Sequence, residues 1–155
     1  MRLFLLLVLF LTLQSCAVFQ PKSFTKDALD EKLVTIDRDS ISLRTILANN
    51  KGAQQFIQIF ATYCPVSQDS FDDVLLFQKK NPSFNYVFLS VDHSYFDWKR
   101  ALKDIPVKGE HYYIPKKGKG KLGTFLKLKT IPRFMILNKK GEIKLFKSSS
   151  VSKLN

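Results

Sequence analysis

Two near-continuous apolar runs dominate the middle of the chain, Phe56-Ile57-Gln58-Ile59-Phe60 and Tyr86-Val87-Phe88-Leu89-Ser90-Val91. Runs of that length without a polar face predict central strands covered on both sides. Between them Phe71, Val74, Leu75 and Gln78 recur at spacings of three and four. That period predicts a helix from just after Cys64 to the Asn81-Pro82 stop. Asp69, Asp72 and Asp73 load its early turns, as the helix dipole favours, and read as a solvated face rather than a metal site. Residues 95–104 predict a second helix with Phe96, Trp98 and Leu102 buried, and residues 122–128 a short third. Residues 105–120 are Lys-rich and read as irregular. Residues 133–137, the turn Asn138-Lys139-Lys140-Gly141 and residues 142–146 predict a hairpin whose second arm alternates, as one solvated face requires. Upstream, residues 33–36 predict a short first strand. Ser42 is placed to cap a helix over residues 43–49 that Gly52 ends. The order β-α-β-α-β-β is an α/β pattern, expected to occupy residues 33–150.

The amino terminus obeys a different rule. Arg2 precedes residues 3–13, which are apolar except for Thr12. This run is too short for a bilayer core of about 30 Å, which needs ~20 residues, and fits the apolar part of a cleaved signal. Residues 17–32 are mixed and polar, with Pro21 and Ser23, and read as a tether.

Composition narrows the class. The 155 residues leave room for one domain, and a domain of about 140 residues buries enough surface to need no disulfide staples. Hydrophobic residues at 45% and 14 Phe exclude a disordered chain. Six Gly and six Pro exclude collagen-like or low-complexity sequence. Two Cys exclude a disulfide scaffold and a Cys-rich zinc site. Twenty-five basic residues against 13 acidic give a net charge of +12. The block Lys108, Lys116, Lys117, Lys119, Lys121, Lys127 and Lys129 reads first as a solvated face, then as an attraction for anionic lipid or an acidic partner. Nucleic acid does not fit a chain with an export signal.

The candidate chemistry centres on Cys64, at the junction of a buried strand and a helix. Pro65 suits the first helical turn. A thiol there meets free N–H groups and the positive end of the dipole, which favours the nucleophilic thiolate. Ser67 follows one turn on, where its hydroxyl is expected to hydrogen-bond the sulfur. His93 and His111 are the only histidines. His93 follows a central strand, and both are expected to be structural or solvated rather than catalytic.

Leu13-Gln14-Ser15-Cys16 resembles the lipobox of bacterial lipoproteins. The resemblance implies a signal peptide over residues 1–15, lipid on Cys16, and a membrane-anchored domain facing the periplasm or the cell exterior. Gln14 departs from the small residue usual there. With Cys16 taken by lipid, Cys64 is the one remaining thiol.

Three further segments resemble the thioredoxin fold, in particular TlpA-like and ResA-like membrane-anchored thiol–disulfide oxidoreductases. Phe60-Ala61-Thr62-Tyr63-Cys64-Pro65-Val66-Ser67 is similar to F-W-A-x-W-C-x-x-C. Leu89-Ser90-Val91-Asp92 is similar to V-S-V-D. Residues 130–143, from Thr130-Ile131-Pro132 to Gly141-Glu142-Ile143, are similar to the cis-proline segment G-x-P-T-x-x-x-I-D-x-x-G-x-I. The resemblance implies a central mixed sheet with helices on both faces. It implies Cys64 as nucleophile with Ser67 tuning it. Tyr63, Pro65, Ile131 and Pro132 are the implied substrate contacts, with Ile131 pairing to an extended substrate as an added strand does. It implies protein thiols or disulfides of the cell envelope as partners, an external thiol as reductant, and no cofactor or metal.

The departures set the alternatives. Ser67 replaces the second Cys, Tyr63 the usual Trp, and Gln58 the buried acid of thioredoxins. The family's final amphipathic helix is not visible after Phe146, so one sheet face is expected to be open or covered by something else. A single thiol can form a mixed disulfide but cannot resolve it alone. Three readings remain open: a monothiol oxidoreductase or isomerase, a redox-inactive binding module, and a one-Cys peroxidase. Ile57 and Ala61 stand where the peroxidase motif needs Pro and Thr.

Overall fold

The computed structural model describes residues 20–154. In chain order they form α1 (Lys26–Asp30), β1 (Lys32–Val34), β2 (Ser40–Ser42), α2 (Leu43–Asn49), β3 (Gln55–Phe60), α3 (Pro65–Lys80), β4 (Asn85–Ser90) and α4 (Tyr95–Ala101). Then come β5 (Glu110–Tyr113), α5 (Lys121–Leu126), β6 (Arg133–Leu137), β7 (Ile143–Ser148) and a closing 3-10 turn (Val151–Leu154). The seven strands form one mixed sheet in the order β2-β1-β5-β4-β3-β6-β7. β3, β4 and β5 run parallel, β6 runs antiparallel to β3, and β7 runs antiparallel to β6. This is the thioredoxin-like architecture. No helix among the described residues is long and apolar enough to cross a membrane.

Strand alternation sorts the core into two layers. Ile57, Ile59, Val87, Leu89, Met135 and Leu137 face one side and pack with Leu43 and Ile46 of α2 and Leu122 and Leu126 of α5. Phe56, Phe60, Phe88, Phe134 and Ile136 face the other and pack with Phe71, Val74 and Phe77 of α3 and with Trp98. Phe56 lies 5.3 to 6.4 Å, ring centre to ring centre, from Phe77, Tyr86, Phe88 and Phe134. Tilted aromatic pairs at such distances add to plain area burial. Burial on both faces explains why β3 and β4 read as unbroken apolar runs.

Four local differences from the sequence reading have physical causes. The polar segment upstream of residue 33 is partly built into the domain: α1 packs Ala28 into the core, and Phe24 is buried beside it. The sheet face that the missing final helix was expected to leave open or to something else is covered by other parts of this chain. Phe24 meets Phe125, Phe125 meets Phe146 of β7, and the Lys22 carbonyl accepts from the Ile143 N–H at 2.8 Å. On the opposite face Val151 of the closing turn packs with the α3 side of the core. Residues 105–120 are not all irregular, because β5 pairs with β4 there. Phe96 is exposed, whereas Trp98 is fully buried. Two residues apart on a helix means nearly opposite faces, and Trp98 holds the inward one.

A tight contact fixes the entry to α5. A Cβ on Gly123 would collide with the Gly118 carbonyl oxygen. Alanine is the better helix former by ~1 kcal/mol, but overpacking against backbone typically costs about 1–3 kcal/mol and here the clash is severe. Gly123→Ala is expected to destabilise the protein by about 2 kcal/mol or more in denaturant unfolding. A neutral or stabilising result would show that this backbone yields.

Candidate active site

Cys64 occupies the N-cap of α3 with extended backbone (φ −90°, ψ 113°), and Pro65 takes the first helical position. Its N–H donates to the Ala61 carbonyl at 3.2 Å, closing a short turn off the end of β3. Its carbonyl accepts from the Ser67 and Gln68 N–H groups at 3.0 and 3.1 Å. The thiol is free and half-buried at the edge of the core. Pro65, Val66 and Tyr63 around it are exposed, Val66 at 62% and Tyr63 at 54%.

The turn before Cys64 is gripped by Asp92, a residue only 1% exposed. It accepts from the Thr62 N–H at 3.0 and 3.1 Å, from the Thr62 hydroxyl at 2.7 Å and from the Ser90 hydroxyl at 2.5 Å. A buried charge is tolerated when hydrogen bonds satisfy it, and these fix the loop as well. The charge of Asp92 also adds, after burial itself, to raising the Tyr113 pKa. The sequence reading quoted Asp92 in a motif but missed this grip. The signal was an Asp just past a buried strand, with a Thr just before the candidate thiol.

The Ile131–Pro132 bond is cis. β6 pairs with β3 in the register Ile59↔Arg133. Carried on by two residues, that register sets Pro132 level with Phe60 and Ile131 level with Ala61. The cis bond therefore stands at the same end of the sheet as the Cys64 turn. Pro132 is buried and Ile131 half-buried, and no hydrogen bond among the described residues uses the Ile131 backbone. Arg133 holds the approach to this segment. Its guanidinium donates to the Leu126 and Lys127 carbonyls at the end of α5. Burial pushes the Arg133 pKa down.

Ser67 is placed otherwise than expected. It is fully buried, and its hydroxyl has no hydrogen-bond partner, the Cys64 sulfur included. Behind it, Gln58 of β3 donates to the Ser70 hydroxyl at 3.0 Å, and Ser70 donates to the Ser67 carbonyl at 2.7 Å. The Gln58 carbonyl oxygen has no partner. Gln58 thus sets an uncharged amide behind the site, tied into the first turns of α3.

The remaining candidates separate. His93 is exposed, and its ring lies 4.4 Å from that of Tyr63, so it borders the Cys64 surface. His111 is remote on β5, stacked on Phe88 at 4.7 Å, with its pKa lowered by burial. Asp69, Asp72 and Asp73 lie on the exposed side of α3. Cys16 lies outside the described residues.

The family model described as thioredoxin-like matches residues 55–143. The chain belongs to the thioredoxin-like family. No curated protein matches it significantly by sequence. Among solved structures it resembles a candidate thiol-disulfide oxidoreductase from Bacteroides vulgatus at 21% identity and a TM-score of 0.66, over 84% of this chain and 83% of that one. It also resembles a candidate thiol:disulfide interchange protein DsbE from Chlorobium tepidum at 20% identity and a TM-score of 0.62, over 80% and 82% of the two chains. A third is the thioredoxin domain of another Bacteroides vulgatus thiol-disulfide oxidoreductase, at 16% identity and a TM-score of 0.63, over 81% and 89%. At these identities the likeness carries the thioredoxin-like fold and leaves the activity to the residues of the site.

Asp92→Ala removes the shared acceptor of two hydroxyls and one backbone N–H, all part-buried or buried. It is expected to lower stability by about 2–3 kcal/mol and to raise hydrogen exchange at Thr62. Unchanged exchange there would show that the turn holds without Asp92.

Proposed function

We propose that this thioredoxin-like protein is a monothiol agent of thiol–disulfide exchange, working through a mixed disulfide on Cys64. The observation that supports it is the placement of a free, half-buried thiol at the N-cap of α3, at the same end of the sheet as the cis Ile131–Pro132 segment, with Ser67 at the position of a second thiol. In the proposed step the Cys64 thiolate attacks one sulfur of a protein disulfide. The Cys64–substrate bond forms, the substrate's own S–S bond breaks, and the freed sulfur leaves as a thiolate that takes a proton from water. The Ser67 hydroxyl cannot displace Cys64, so the adduct waits for another thiol. If the substrate's freed thiol attacks a different disulfide of the substrate, and the thiol so liberated attacks the sulfur held by Cys64, Cys64 leaves as a thiolate and the substrate's disulfides are rearranged. If an external thiol attacks the substrate sulfur, Cys64 is released and that thiol stays joined to the substrate. A second equivalent completes the reduction and leaves as the external disulfide.

Tyr63, Pro65, Ile131 and Pro132 form the proposed substrate surface, and the unused Ile131 backbone suits strand addition. The lipobox-like Cys16 completes the proposal. Lipid there anchors the domain to a membrane of the cell envelope, facing the periplasm or exterior, where partner disulfides persist. A second reading, a binding module without exchange, draws on the exposed Tyr63 and Val66 beside the thiol.

Two substitutions separate the readings. In cells, Cys64→Ser is expected to remove the disulfide-linked adducts of the protein seen on non-reducing gels. Ser67→Cys supplies an internal resolving thiol and is expected to shorten adduct lifetime by at least about tenfold. Partners captured equally by the protein and by Cys64→Ser, with no disulfide link, would support the binding module instead.

A further inference from the structure

Beside the cis segment lies a recess of about 330 Å³ that the exchange step does not use. Its walls include Thr130, Pro132, Arg133, Lys147, Ser148 and Lys153. Three of these are cationic and none is acidic. Arg133 is 7% exposed, and its guanidinium is bonded only to backbone carbonyls. Among the described residues, ion pairs form at Arg44, Arg100 and Lys121, and none at Arg133, Lys147 or Lys153. The Arg133 guanidinium is taken up by carbonyls that do not line the recess, so Lys147 and Lys153, without an acidic residue in its walls, make this a place where negative charge is favoured.

Location gives that charge a meaning. β7 pairs with β6 in the register Phe134↔Ser148, so Lys147 and Ser148 stand at the Pro132 end of the sheet. The other flank of the site has the opposite sign. A second recess, between α3 and the segment after α4, includes Thr62, Gln68, Asp72 and Asp104 in its walls and has no cationic residue. The positive character at Pro132 is therefore local and not a reflection of the chain's net charge. A substrate strand laid against Ile131 passes the cationic recess.

We propose that the substrate of Cys64 is an acidic, extended polypeptide, whose Asp or Glu side chains enter the recess at Lys147 and Lys153 while its backbone pairs at Ile131. This rests on the exchange reading above. The covalent step is the same one: Cys64 takes one sulfur of the peptide disulfide and the other leaves as a thiol.

The test uses the full chain in detergent with Cys16→Ser, which leaves Cys64 as its one thiol. The probes are two synthetic peptides, each with one Cys carried as a disulfide to 2-mercaptoethanol. Glu flanks the Cys in one and Lys in the other. The neutral bis(2-hydroxyethyl) disulfide serves as reference. The Glu peptide is expected to form the Cys64 adduct at least about tenfold faster than the Lys peptide at low salt, with the preference shrinking in 1 M salt. Lys147→Glu with Lys153→Glu is expected to abolish the preference and leave the reference rate unchanged. Lys139→Glu with Lys140→Glu makes the same charge change in the β6–β7 turn at the far end, and is expected to keep the preference. Equal rates for the two peptides would overturn the proposal. So would a preference that survives the first pair of changes or is lost equally with the second. Failure of the neutral reference to react would instead remove the exchange reading. Binding of the two peptides with Ser in place of Cys, measured by fluorescence anisotropy on the same variants, then decides the charge preference alone.

Discussion

The antiparallel pairing of β6 on β3 is the constraint on which the site depends. It matches Ile59 with Arg133 and so brings two distant stretches of sequence to one end of the sheet. On one side the chain leaves β3 through the Ala61–Cys64 turn into α3. On the other it enters β6 through the cis Ile131–Pro132 bond. A slip of one residue would turn Phe134 and Ile136 out of the aromatic layer and Met135 out of the opposite one. Burial on both faces thus sets the register, and the register sets the site. Asp92 and Arg133 then fix the two approaches, one by accepting from Thr62 and the other by donating to the end of α5.

The chemistry that this frame can support is narrowed by two uncharged residues. Ser67 cannot form or break a disulfide, and Gln58 behind it can neither give nor take up charge. The pair is coherent, since a group that moves protons for a second thiol has no use where that thiol is absent. Ser67 is also not the partner of the sulfur, because its hydroxyl is buried without any hydrogen bond. Cys64 is therefore shaped by the helix terminus and by the surface around it, where Tyr63, Val66 and His93 are open to a partner.

Much of this was legible in the sequence. The runs that became β3 and β4 could be read because both of their faces are buried, and the helix of Pro65–Lys80 because its inward residues repeat at three and four. The Ser42 cap and the hairpin were legible for similarly local reasons, and the cis proline only through the resemblance carried by residues 130–143. β5 was not, because Glu110-His111-Tyr112-Tyr113 is short and only its last residue is buried. Its strand character comes from pairing with β4, a contact that no local period reports. Phe24 was missed because one aromatic residue among polar ones carries no period, although it closes the face over β7. The grip of Asp92 on Thr62 spans thirty positions and becomes visible only once β3 and β4 lie side by side.

The central claim is that Cys64 makes a mixed disulfide which this chain cannot resolve by itself. The most direct measurement is intact-mass spectrometry of the full chain with Cys16→Ser after reaction with bis(2-hydroxyethyl) disulfide. The account predicts a single adduct per chain on Cys64, stable once excess reagent is removed and lost at a rate proportional to added external thiol. No adduct on the folded protein, or an adduct that clears with no thiol added, would contradict it.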